Sequence, residues 1–136
     1  MPYLEVIHPE GWAPARGYSN GLLAPAGGRM LFIAGQVAWD AEQCIVGPGN
    51  FVMQFEQALK NVVAVVHAAG GQPEHLARLT LYVTDREGYV NNLLEVGRAY
   101  RRVMGRHYPA MALVQIKALV EADALIEIEG TAVLPP

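Results

Sequence analysis

The sequence holds one cysteine, few charges and no long apolar run, and each shortage removes a class of protein. Cys44 has no partner for an internal disulfide, which fits a reducing compartment and points to the cytoplasm. Nothing around it activates a thiolate, so it reads as a half-buried, inert thiol. No apolar stretch approaches the roughly 20 residues of a bilayer-spanning helix, so no membrane partner is expected. The start of the chain lacks a basic segment followed by an apolar core, so no secretory leader is expected either. The four histidines, His8, His67, His75 and His107, are scattered without metal-ligand spacing, and no metal is expected. Gly47-Pro48-Gly49 lacks the third glycine and the preceding strand of a dinucleotide loop, so it reads as a turn and no cofactor is implied. Ser19 has no Gly-x-Ser-x-Gly elbow around it. A net charge of −3 and a pI near 5.8 speak against nucleic acid as a partner.

What the chain does have is apolar content. Its 136 residues, enough for one domain with a real core, are 52% hydrophobic and 17% charged. That balance predicts some surface buried against other subunits. Phe51, Phe55, Ala58, Leu59, Val62, Val66 and Ala69 recur at steps of three and four, which predicts a helix. Asn50 is its expected N-cap, Gly70-Gly71 its stop, and Gln54, Gln57, Lys60 and Asn61 its polar side. Before it, residues 1–16 read as an extended lead-in. Tyr18 to Ala24 and Arg29 to Val37, split by Pro25-Ala26-Gly27-Gly28, predict a β-hairpin. After it come a strand from Ala77 to Thr84 and a second helix capped by Asp85, striped by Tyr89, Leu93, Val96, Tyr100 and Val103, and ended by Gly105. Met111 to Lys117 and Leu125 to Val133 complete the strands.

The order β-β-α-β-α-β-β predicts an α+β two-layer sandwich, a mixed sheet with both helices on one face. Leu31 and Ile33 alternate with Met30, Phe32 and Ala34, while Ala112, Val114 and Ile116 alternate with Met111 and Leu113. Both sheet faces are therefore apolar, but helices cover only one. A homo-oligomer packing sheet faces together is expected.

Two places carry candidate chemistry. Glu127 and Glu129 share one face of the last strand. On an edge they are solvated charges; beside a subunit cleft one of them can orient water or act as a general base. The other place is Tyr18-Ser19-Asn20 with Ala34-Gly35-Gln36, where Gly35 permits close backbone approach to a ligand and Tyr18 offers a hydroxyl. Arg98, Arg101, Arg102, Arg106 and His107 form a basic cluster that reads as a solvated face complementing the helix dipole, with anion attraction as the alternative.

Together these residues resemble the RidA/YjgF family, long labelled endoribonuclease L-PSP, from about Gly17 to Val133. The anchors are Gly17-Tyr18-Ser19-Asn20-Gly21, Phe32-Ile33-Ala34-Gly35-Gln36-Val37, Gln57-Ala58-Leu59-Lys60-Asn61-Val62, Thr80 to Asp85, Pro109-Ala110 and Leu125-Ile126-Glu127-Ile128-Glu129. The resemblance implies a chorismate-mutase-like fold and a homotrimer with three intersubunit clefts. In active members those clefts hydrolyse imines and enamines to a keto acid and ammonia. It implies Tyr18 lining the cleft, Glu127 positioning water, and Gln36, Ala34, Gly35, Leu93 and Met111 bordering the ligand. Met111 stands where such members carry the arginine that grips the substrate carboxylate. Ala34 replaces a usual serine or threonine, and Leu93 a common asparagine. Arg16 and Lys117 are candidate replacement cations. The expected activity is C=N hydrolysis on a substrate other than the simplest 2-imino acids; the alternative is a non-catalytic trimer binding a small metabolite. A nuclease has neither metal cluster nor basic groove here.

Overall fold

A computed structural model describes residues 2–136. Six strands and three helices form: β1 (Glu5–Ile7), β2 (Gly21–Leu23), β3 (Arg29–Gln36), α1 (Phe51–Ala68), β4 (Leu76–Val83), α2 (Arg86–Val90), α3 (Leu93–Met104), β5 (Ala110–Gln115) and β6 (Ile126–Leu134). The main sheet runs β3-β6-β4-β5, with β6 antiparallel to both its neighbours and β4 parallel to β5. This is the expected α+β sandwich.

α1 forms where its stripe predicts, because both ends carry local signals. The Asn50 side chain accepts from Met53 N at 3.0 Å, and Gly70 takes a left-handed φ of 86° beyond the last turn. Phe55, Ala58, Leu59, Val62 and Val66 meet Leu79, Leu81, Val83, Ile126 and Ile128 across the core, and Val96, Ala99 and Tyr100 of α3 join them. Both long helices therefore cover the same sheet face.

Four details differ from the sequence reading. The expected hairpin partner of β2 is not β3 but β1, a strand inside the supposed lead-in. Ser19, just before β2, bridges to Ala110 at the start of β5. That holds β2 at the β5 edge, while β3 forms the opposite edge, three strand spacings away at about 4.8 Å each. The second helix is split at Asn91-Asn92, where Asn92 Nδ2 donates back to Gly88 O at 2.7 Å. The break shifts the helical phase, so α3 buries Val96, Ala99, Tyr100 and Met104 and leaves Leu93 54% exposed. Gln54, assigned to the polar side of α1, is fully buried. Cys44 is exposed, in a turn held by Asp40 Oδ1 accepting from the amides of Glu42 and Cys44.

The uncovered sheet face is apolar at its edges and polar in its centre. Phe32 is 74% and Met30 61% exposed on β3, and Val114 is exposed on β5. Between them, Tyr82 donates a hydrogen bond to Glu129 beside Glu127 and Thr80. Among the described residues no helix is long and apolar enough to cross a membrane.

Candidate functional site

A concavity of about 400 Å³ lies between the Arg16–Tyr18 segment, β5 and α3. Its position follows from one tie. Ser19 N donates to Pro109 O at 3.1 Å, and the buried Ser19 hydroxyl donates to Tyr108 O. Tyr18 is thereby held beside the start of β5, where the Met111 side chain turns toward the core face in register with Leu79. Leu93, on the first turn of α3, closes the third side.

The inner wall is aromatic. Tyr100 and Tyr108 lie parallel, ring centroids 5.1 Å apart and planes 3° from coplanar. The Tyr100 hydroxyl donates to His107 O at 2.6 Å. Burial, with a smaller contribution from Tyr108, pushes that hydroxyl far above the usual phenol range, so Tyr100 stays neutral. Phe55 and Leu59 of α1 back the wall. No aspartate or glutamate lines the cavity, whereas Arg16 and Arg101 do. Gly97 lines it too, and a Cβ added there would meet nothing within 4 Å. A glycine inside a helix costs about 1 kcal/mol relative to alanine. Its backbone here is ordinary helix, so what the residue contributes is room.

The expected site residues divide between two faces of the sheet. Tyr18, Met111 and Leu93 line the cavity. Glu127 is half-buried on the opposite face, its Cα paired with Tyr82. Ala34, Gly35 and Gln36 cluster there with it. A Cβ on Gly35 would sit 2.7 Å from the Glu127 carboxyl carbon, so a larger residue there would push that side chain aside. Gln36 Nε2 donates to Ala34 O at 3.1 Å across the irregular end of β3. A single chain thus does not bring Glu127 to the Tyr18–Met111 cavity. On the Glu127 face, the bond to Glu129 comes first and burial second in raising the Tyr82 hydroxyl above its usual range.

Of the two candidate replacement cations, Arg16 lines the cavity, and Lys117 lies past the end of β5, off its wall. Arg101 belongs by sequence to a basic cluster with the pattern of a solvated face, yet it borders the cavity. The signal for it was the step of four from Leu93 to Gly97 to Arg101, one helical face. Among the described residues no group of three or more His, Cys, Asp or Glu could hold a metal ion.

Comparison with known proteins gives this geometry a family. The model described as endoribonuclease L-PSP matches residues 10–134. A RutC family protein of Pyrococcus horikoshii is 32% identical over 119 residues, covering 88% of each chain. The human 2-iminobutanoate/2-iminopropanoate deaminase is 29% identical over 119 residues, covering 88% of this chain and 81% of its own. A crystal structure of a Rid family protein of unknown function from Yersinia pestis superposes with a TM-score of 0.87 at 34% identity, covering 97% of this chain and 99% of that one. Sequence match, relatives and fold agree: this chain belongs to the endoribonuclease L-PSP family, the RidA/YjgF group.

Proposed function

We propose that the chain is a deaminase-type hydrolase of C=N bonds. It works as a homotrimer in which Glu127 of a neighbouring copy completes each Tyr18–Met111 cavity. The observation that carries this reading is the division of the site residues between two faces of one sheet: the cavity lies on one, and the half-buried carboxylates Glu127 and Glu129 lie on the other, flanked by exposed Phe32 and Met30. Packing that apolar face against a second chain buries it and offers Glu127 a cavity it cannot reach at home. Relatives named as imine deaminases support the chemistry.

In this reading the Glu127 carboxylate takes a proton from water as the oxygen attacks the C=N carbon. The carboxyl returns that proton to nitrogen, which gives the carbinolamine; on collapse the hydroxyl proton passes through the same carboxylate to nitrogen, which leaves as ammonia, and a carbonyl remains. Tyr18 orients the substrate through its hydroxyl. Met111 gives soft apolar contact where active relatives of the resemblance carry a guanidinium, a loss of about 1.5–3 kcal/mol for each charge-assisted hydrogen bond.

The test is carbonyl and ammonia formation from enzymatically generated imines. The wild type should barely accelerate 2-iminopropionate hydrolysis and should act on larger imines. Glu127→Gln should lower turnover about 100-fold or more with the fold intact. Met111→Arg should recover part of the 2-iminopropionate activity, short of two to three orders of magnitude because Ala34 and Leu93 also differ. A wild type silent on every imine favours the second reading, a metabolite-binding trimer, for which the acid-free lining and Met111 already speak.

A further inference from the structure

The cavity is larger and more aromatic than a three-carbon acid needs, and its rim is positive. At about 400 Å³ it has room for about thirteen water-sized volumes of about 30 Å³. An imino acid of six non-hydrogen atoms leaves much of that space unfilled against an apolar wall. Phe55, Tyr89, Tyr100 and Tyr108 face it, the last two as a parallel pair. The charges tell the same story from the other side. α3 carries Arg98, Arg101 and Arg102; Arg98 pairs with Glu95 at 3.0 Å and Arg102 with Glu56 at 2.7 Å. Arg101, on the cavity lining, makes no ion pair among the described residues, and neither does Arg16 on the opposite lip. Two guanidinium groups without an ion pair in their own chain, at the rim of an aromatic hollow that the chain lines with no acid of its own, complement an anion with a ring behind it. Gly97, one turn before Arg101, keeps open the space such a ring needs.

We propose that the ligand of this site is a carboxylate bearing an aromatic ring, held at the carboxylate by Arg101 and Arg16 rather than by the residue at position 111. The proposal rests on the reading that this cavity is the ligand site, and it names the class the cavity selects. The ring lies along the Tyr100–Tyr108 wall over Gly97. Arg101 supplies the fork from the helix side, and Met111 and Leu93 complete the apolar floor in place of a polar grip. A substrate of this class is an imine of an aromatic 2-keto acid.

Calorimetric titration of the full-length protein tests this with three probes: phenylacetate, its neutral amide phenylacetamide, and pyruvate. Phenylacetate should bind at least tenfold tighter than either of the others. Arg101→Gln should weaken phenylacetate about tenfold and leave phenylacetamide unchanged, with Arg101→Lys recovering part of the loss. Gly97→Leu fills the hollow on a helix that favours leucine, so it should abolish phenylacetate binding while the melting temperature holds or rises. Equal affinity for acid and amide, pyruvate binding as tightly as phenylacetate, or undiminished binding by Gly97→Leu each overturn the proposal. Hydrolysis of 2-iminopropionate without ring-acid binding also overturns it and leaves the hydrolase standing. Ring-acid binding without hydrolysis of any imine leaves the proposal standing and removes the hydrolase.

Discussion

Gln54 is a polar side chain that the fold could not replace with an apolar one. It is fully buried, and every hydrogen-bonding atom of its amide is engaged: Nε2 donates to Gly47 O at 3.2 Å and Asp123 O at 2.9 Å, and Oε1 accepts from Leu125 N at 2.8 Å. It thus ties the loop before α1 to the loop before β6. Gln54→Leu keeps the volume and strands those backbone groups, at about 2–4 kcal/mol. Urea unfolding should show that loss as a lower midpoint with an unchanged slope. The periodicity of α1 could not announce this role, since a glutamine one turn from the cap looks the same whether water or a distant loop takes its amide. Met111 and Tyr18 were legible for the opposite reason: they follow or sit within local motifs, Pro109-Ala110 and Gly17 to Gly21. Arg101 sits in no such motif, and its neighbours Arg98 and Arg102 are ordinary paired surface charges.

At the scale of elements, the two long helices are joined by a forked ion pair. Arg102 of α3 donates to Glu56 of α1 through Nε at 3.2 Å and a terminal nitrogen at 2.7 Å, and Lys60 lies 3.5 Å from the same carboxylate. The Arg102 hydrogen bond is the main reason the Glu56 carboxyl titrates below its ordinary value of 4.5. A depressed carboxyl stabilises the native state above its unfolded pKa, and the benefit disappears as pH falls through the lower folded value. Melting temperature followed from pH 7 to pH 3 should therefore fall less steeply for Glu56→Gln than for the wild type, below about pH 4.5. Because Arg102 is mostly in solvent, the difference should be a few degrees at most and shrink in salt. Helix positions were readable because caps and stops are local. Strand partners were not. β1 is three exposed residues among prolines and polar groups, too short to show a period, and its pairing with β2 follows only from where Ser19 is anchored. Similarly, Asn91-Asn92 breaks the second helix through a side-chain bond to Gly88 O that spacing alone does not reveal.

For the whole molecule, the uncovered sheet face is the main unmet demand. The proposed trimer predicts a light-scattering mass near three times 14.8 kDa at micromolar concentration. Phe32→Glu, which puts a charge on the most exposed large apolar side chain of β3, should return the chain to a folded monomer and take any imine hydrolysis with it. The apolar alternation of β3 and β5 made that face visible from sequence, but the Tyr82–Glu129 bond at its centre was not, since it joins strands 47 residues apart. Longer still is the tie that shapes the cavity, the Ser19 hydroxyl to Tyr108 O, across 89 residues. Closing a loop of that size costs about 4 kcal/mol of chain entropy before the contact returns anything. The segment bearing Arg16 and Tyr18 owes its place in the cavity to that contact with the α3–β5 unit. A chain with that segment undocked lacks one wall of the ligand site, so a bound ligand stabilises only states in which the segment is in place.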